Sequence, residues 1–339
     1  MKFASLHGVA RTILLLSLLV LSIRGFIAQG IAQEERDPSE PNIARVGVLW
    51  PSPASHNALR TRLETALQGA GHVLGKNLVL EHRFPQKRDG IDQSAMELVN
   101  AKCDVYIAVG TPAAVSLKRQ TSQTPIIFYD VADPVTAGLI KDLSRPGTNV
   151  TGFSALAPEL SAKLAELSRD ALPAMSRVGV LWDRENPGNA SQLEKFITAA
   201  RSLKLEVVPV GIRNDADFSN AFESVRKHNV GALVVLRSST NIENARRITS
   251  FAATRHLPTI GAFPQLVEHG GLMAYYPSFD EMWIGLARYV SQILSGARPE
   301  TLPVQQPARF ELVVNMKAAT SLGITIPESL ALRADRVIR

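Results

Sequence analysis

The sequence predicts an α/β fold of two similar lobes, each a mostly parallel sheet layered between helices, joined by a hinge of several strands. Three observations point there. Within residues 104–154, the apolar run Val105–Val109 ends in Gly110-Thr111-Pro112 and passes into a helical pattern, and a second run, Ile126–Phe128, ends in Asp130 and reaches Asp133-Pro134 before another. A short oxygen-bearing residue ahead of a proline is helix-start chemistry, with Thr111 or Asp133 as the cap and proline in the first turn. Buried strands feeding capped helices are the parallel α/β arrangement. Second, Arg177-Val178-Gly179-Val180-Leu181-Trp182 repeats Arg45–Trp50 letter for letter, and the elements after each copy follow in the same order. Third, 339 residues with 45% hydrophobic side chains suit two cores better than one.

The elements follow in order. After the first repeat strand, Leu59, Leu63, Ala66, Leu67 and Ala70 recur at helical spacing and Gly71 ends the helix. Val79–Phe84 alternates as a strand, and Asp92 is placed as the cap of a helix carrying Ala95, Leu98 and Val99. The two strand–helix joints come next, and Arg145–Ser154 is a turn-rich crossing to the second lobe with one short strand. Pro158 opens a helix over 159–172. The second repeat strand leads to a helix near 190–202, strand 205–210, a helix from Phe218, strand 232–236, a helix from Asn241 and strand 258–262. Gly271–Tyr275 reads as a strand, Ser278 and Glu281 as a capping box opening a helix to Leu294, Phe310–Val314 as a strand and 316–322 as a short helix. The expected division is 43–152 with 276–300 in lobe one, and 153–275 with 308–339 in lobe two. Three crossings between lobes make a hinge that rotates without unravelling either core.

The N-terminus reads as a cleavable export signal over residues 1–32. Lys2 and Arg11 precede the apolar run Thr12–Ile23, which is short for a bilayer span, and small residues follow at Gly30-Ile31-Ala32. An uncleaved membrane anchor is the competing reading. Residues 33–42, charged and proline-bearing, read as a mobile tail. The full chain has 37 basic and 31 acidic residues, and removing the signal with Lys2, Arg11 and Arg24 leaves 34 against 31, a net charge of +3. With no long basic block, nucleic acid is not an expected partner. Cys103 is the single cysteine, so an internal disulfide is excluded, as is a lipid anchor on a cysteine after the apolar run. A monomeric protein of the periplasm is expected.

Enzyme signals are scarce. There is no G-x-S-x-G, no phosphate-binding loop, no dinucleotide-binding glycine pattern and no paired-histidine spacing, and Glu268-His269 stands alone. No catalytic residue, metal or cofactor is therefore expected. Binding signals are better. The strand ends offer Ser52, Thr111, Asp130, Asp133, Asp183, Asn186 and Ser238, with Trp50, Trp182 and Tyr275 as aromatic neighbours. A few convergent polar groups among apolar walls describe a small-ligand cleft. Each tryptophan has an equal reading as a packing residue of its own lobe.

The strings Val109–Ala114, Pro125–Phe128, Asp133-Pro134-Val135, Ala137-Gly138-Leu139, Pro146–Gly152, Leu302–Pro307, Phe310–Asn315 and Leu322–Pro327 stand in an order that resembles the substrate-binding proteins of ABC transporters, in the tryptophan-receptor-like group. The resemblance covers nearly all of 43–339. It implies the type I periplasmic-binding fold, two Rossmann-like three-layer lobes with a ligand cleft between them, a membrane permease as partner, and an aromatic or branched amino acid or a related carboxylate as ligand. Carried over by position, it places the site at Ser52, Gly110, Thr111, Asp133 and Pro134 in lobe one, Ser154 on the crossing, Asp183, Asn186 and Ser238 in lobe two, and Tyr275 on the returning segment. One departure is Tyr276, where the family often has glycine; its bulk is expected beside the cleft.

The expected mechanism is closure on the ligand. The helix start at Thr111 holds a carboxylate through backbone N–H groups and the hydroxyl, and Asp133 or Asp183 accepts an ammonium. The alternative function is a ligand-sensing module for a membrane kinase or chemoreceptor, and an exported enzyme is a third reading.

Overall fold

The computed structural model describes residues 43–52, 56–85 and 88–339, so the expected signal and tail lie outside the described residues. Residues 43–339 carry two sheets. In the first, the strands are β1 (Ala44–Leu49), β2 (Leu78–Arg83), β3 (Val105–Val109), β4 (Ile126–Val131) and β5 (Val150–Ser154), and the helices are α1 (His56–Gly69), α2 (Ile91–Asn100) and α3 (Thr111–Gln120). The chain then builds α4 (Ala157–Ala171), β6 (Arg177–Asp183), α5 (Pro187–Ser202), β7 (Glu206–Ile212), α6 (Phe218–His228), β8 (Ala232–Val235), α7 (Ser239–Glu243), α8 (Ala245–Ala253), β9 (Thr259–Gly261), α9 (Pro264–Glu268) and β10 (Met273–Pro277). Helix α10 (Phe279–Leu294) is followed by β11 (Phe310–Asn315), α11 (Met316–Ser321), α12 (Glu328–Leu332) and β12 (Arg336–Ile338).

The strand orders are β2-β1-β3-β4-β5 and β12-β11-β10-β9-β8-β6-β7. All pairings are parallel except β10 with β11. The repeated hexapeptide thus occupies the same place twice: β1 lies between β2 and β3, and β6 lies between β7 and β8. Its glycine is used for close packing in both copies. A Cβ on Gly47 would lie 2.7 Å from a ring carbon of Tyr106, and one on Gly179 3.3 Å from Leu233 and Val230 side-chain carbons. Strand order reverses beside β1 and again beside β6, and α/β sheets place ligands outside the strand carboxyl ends at such a reversal.

Each sheet is covered on both faces. Leu63, Leu67, Trp283, Leu286 and Val290 from α1 and α10 pack on one face of the first sheet, and Ala95, Leu98, Ala113 and Leu117 from α2 and α3 on the other. Leu164, Phe196, Ala319 and Leu330 cover one face of the second sheet, and Phe218, Val225, Ile248 and Leu266 the other. The chain leaves the first sheet after Ser154, returns to it with α10, and rejoins the second at β11. Thr151 Oγ1 donates to the Leu302 carbonyl at 2.8 Å, and Ser154 N donates to Gln305 O at 2.9 Å, so the crossing segments are bonded to one another.

Four helix starts differ from expectation. Thr111 is the first residue of α3, not its cap. The cap position belongs to Gly110, whose φ of 82° and ψ of 164° suit glycine alone, and the Thr111 hydroxyl accepts instead from Ala132 N at 3.2 Å. Asp133-Pro134 opens a single turn and not a helix. Ala137 N donates to Asp133 O and Leu139 N to Pro134 O, but Gly138 at φ 68° turns the chain away before a second turn forms. Neither Ser278 nor Asp92 caps as expected. The Ser278 side chain makes no capping bond to α10, and Asp92 lies in the first turn of α2, accepting from Ser116 Oγ and Arg119 Nη2.

Cys103 is 6% exposed, and burial pushes its thiol up to about 11. The thiolate is the reactive form. At pH 8 the folded protein is expected to resist an aromatic disulfide reagent such as DTNB and to react stoichiometrically only in denaturant; fast native labelling would place Cys103 at the surface.

Candidate functional site

Two neighbouring cavities lie between the strand ends of the two sheets. The outer one, about 480 Å³, is lined by Pro51, Ser52 and Pro112 from the first sheet's side and by Asp183, Asn186, Asn214, Asp215, Ser239 and Thr240 from the second. Its size falls within the ~300–1,000 Å³ of small-molecule sites. The inner one, about 30 Å³, is lined by Gly110, Thr111, Asp130, Ala132, Asn186, Gln192, Arg237 and Ser238, among others. Pro112, Asn186 and Ser239 line both.

The polar residues arrive there because each ends a strand or starts a helix. Asn186 caps α5, its Oδ1 accepting from Gly188 N at 3.0 Å. Ser238 caps α7, its Oγ accepting from Asn241 N at 3.1 Å. Asp183 ends β6, 1% exposed. Its carboxylate accepts from Glu185 N and from Thr240 Oγ1, each at 3.0 Å, while its backbone N–H donates to Asn189 Oδ1 at 2.9 Å. At the start of α3, Pro112 has no N–H, so the first-turn donors free of helix bonding are those of Thr111 and Ala113.

Six of the ten expected residues line the cavities: Ser52, Gly110, Thr111, Asp183, Asn186 and Ser238. Four do not. The Asp133 carboxylate accepts from Thr136 N at 3.0 Å and from the Ser191 hydroxyl at 3.2 Å, the second a bond from the first sheet's loop to α5. Pro134 is buried in the same turn, its carbonyl accepting from Leu139 N. Ser154 Oγ accepts from Leu156 N at 3.2 Å. Tyr275 lies on β10 with its ring 5.6 Å from Phe310, packed against the second sheet's core. Tyr276 is likewise away from both cavities. It is 5% exposed among Ala274, Val267 and Val313, its hydroxyl donates to Glu311 Oε2 at 3.1 Å, and burial, with the Glu311 carboxylate, pushes the phenol up to about 12. Its bulk fills the core and not the pocket. The tryptophans are packing residues. Trp50 is fully buried, stacked on Phe84 and donating Nε1–H to His82 Nδ1 at 3.1 Å, and Trp182 packs against the second sheet's core.

The site also holds what sequence reasoning missed. Arg237, just past β8, reaches across to Asp130 at the end of β4. Its Nε donates to both carboxylate oxygens at 3.0 Å, its Nη2 pairs with Oδ2, and its guanidinium carbon lies 4.5 Å from the centre of the Phe279 ring. The two side chains are only 13% and 14% exposed. Asp130 sits at φ 60°, where the register between β4 and β5 slips between Tyr129 and Val131. Aspartate tolerates that left-handed geometry better than most residues. Asp130 was legible as a strand-end acid, whereas a partner 107 residues away carries no local signal.

The sequence profile described as ABC transporter substrate binding protein matches residues 46–338. The chain belongs to that family. A tyrosine-binding protein of Clostridioides difficile is 27% identical over 264 residues, covering 76% of this chain and 74% of the relative. A conserved domain protein of Vibrio cholerae superposes with a TM-score of 0.82 at 30% identity, covering 87% of this chain and 99% of that one. A Streptococcus pneumoniae protein in complex with L-Trp superposes with a TM-score of 0.81 at 26% identity, over 87% and 100% of the two chains. The fold is the type I periplasmic-binding fold, and the family's members are solute-binding proteins. Among the described residues, no helix is long and apolar enough to cross a membrane.

Proposed function

We propose that this protein is the periplasmic solute receptor of an ABC importer, and that it closes on one small amino acid, aromatic or branched, for delivery to an inner-membrane permease. The observation that carries this is the pair of neighbouring cavities at both sheets' strand-order reversals, lined by helix-start groups from two sides. Two relatives of known ligand, a tyrosine-binding protein and a protein seen with L-Trp, support an aromatic amino acid. The ligand carboxylate lies at the start of α3, where the positive end of the helix and its free N–H groups favour an anion. The first sheet with its helices, α10 among them, and the second sheet with its helices move as two bodies about the crossing segments. Ligand contacts on both bodies favour the closed form by their difference in affinity for the two forms, and the permease reads that form.

Calorimetry with the twenty L-amino acids tests the reading. One-to-one binding of tyrosine, tryptophan or a branched residue is expected at micromolar affinity or tighter, and loss of uptake of that amino acid is expected when the coding sequence is deleted. Absence of binding by every amino acid would overturn the ligand class. Binding with intact uptake would overturn the transport role and favour a sensory one.

A further inference from the structure

We propose that Asp130 and Arg237 form a charge gate that admits ligands carrying both an ammonium and a carboxylate, with the ammonium taken by Asp130 and the carboxylate by Arg237 beside the α3 start. The proposal rests on the solute-receptor reading and names what that site selects.

Both residues line the inner cavity, which at about 30 Å³ has room for a water or two. An amino acid reaches this depth only if the two sheets part, and parting them breaks the Asp130–Arg237 pair, because Asp130 ends a strand of one sheet and Arg237 follows a strand of the other. Closure over a ligand leaves both charges dry again, and a charge left there without a partner keeps its desolvation penalty. A zwitterion replaces both partners at once. A molecule with one charge satisfies one residue and strands the other, and a neutral molecule strands both.

The surroundings favour this assignment of ends. Gly110 and Thr111 line the same cavity as Arg237, so a carboxylate on the guanidinium is also within the field of the α3 start. Gln192 is 1% exposed and lines this cavity too. Its Nε2 donates to the Gly188 and Arg237 carbonyls at 3.2 and 3.3 Å, which fixes the amide orientation and leaves Oε1 as a buried acceptor with no partner among the described residues. An ammonium on Asp130 has a second acceptor there. The Arg237 backbone is held in place from α5, its carbonyl accepting from Asn189 Nδ2 at 2.7 Å as well as from Gln192.

Calorimetry on the purified protein tests the gate with L-tryptophan, L-tyrosine, the amines tryptamine and tyramine, and the acids indole-3-propionate and 3-(4-hydroxyphenyl)propionate. If another amino acid is bound best, its decarboxylated amine and deaminated acid take their places. The amino acid is expected to bind at least 100-fold tighter than either one-charge analogue. Asp130→Asn is expected to weaken amino-acid binding at least 10-fold and to tighten binding of the acid analogue, which no longer strands a carboxylate; Arg237→Gln is expected to weaken amino-acid binding likewise and to tighten binding of the amine analogue, which no longer strands a guanidinium. Asp130→Asn with Arg237→Gln leaves no lone charge, so it guards against single variants that misfold, and it is expected to lose the preference for the zwitterion. One-charge analogues within 3-fold of the amino acid, or wild-type affinity in both single variants, overturn the gate and leave the receptor reading standing. A wild-type protein that binds no amino acid overturns both.

Discussion

Gly188→Leu is expected to abolish ligand binding while leaving both sheets folded. Gly188 stands in the first turn of α5, and a Cβ there would lie 2.4 Å from the Ala132 Cβ and 3.3 Å from the Thr111 Oγ1. Both neighbours belong to the first sheet's side, so the clash falls between the two halves and not within the second. Gly188 N remains able to donate to the Asn186 cap, and replacing a helical glycine by leucine favours the helix by roughly 0.5–1 kcal/mol. The wedge thus opposes closure alone. Affinity for the amino acid is expected to fall at least 100-fold, with a melting temperature within a few degrees of wild type and a larger radius of gyration by solution scattering in the presence of ligand. Wild-type affinity would show that the halves close on ligand without bringing α5 against Ala132.

Trp283→Ala is expected to give a large loss of stability. Trp283 on α10 is 2% exposed, and its ring lies stacked on Tyr129 with centroids 3.7 Å apart. Removing so large a buried ring costs about 3–5 kcal/mol, which lowers the melting temperature by roughly 6–15 °C in a chain of this size. Trp283→Phe keeps an aromatic face on Tyr129 and is expected to recover more than half of that loss. The effect reaches the site because Tyr129 precedes Asp130: with its ring unsupported, the β4 end that presents Asp130 at φ 60° loses its anchor. A loss below about 1 kcal/mol by chemical denaturation would mean that the neighbouring side chains collapse into the space.

The repeated hexapeptide and the order of elements after each copy foretold two parallel sheets of similar order, because a strand's burial and a helix's capping are written in adjacent residues. For the same reason Ser52, Thr111, Asp183, Asn186 and Ser238 were legible: each ends a strand or starts a helix, and strand ends at an order reversal converge. Asp133-Pro134 looked like the same device and was not, since the glycine at 138 cuts the turn short. Tyr275 and Tyr276 looked like cleft residues, but β10 runs inside the second sheet between β9 and β11 and their side chains pack on its two faces, Tyr275 by Phe310 and Tyr276 by Val267 and Val313.

Sequence alone therefore determined the fold class, the doubled architecture and the rim from which the strand-end polar groups project, because these follow from periodicity and capping within short windows. Only the tertiary structure decided which rim residues share a cavity, that Asp133 is bonded to Ser191, and that Arg237 meets Asp130. Those outcomes depend on how two separately folded sheets approach each other, and that approach is set by contacts between residues 58 to 107 positions apart, which leave no mark on their neighbours in the chain.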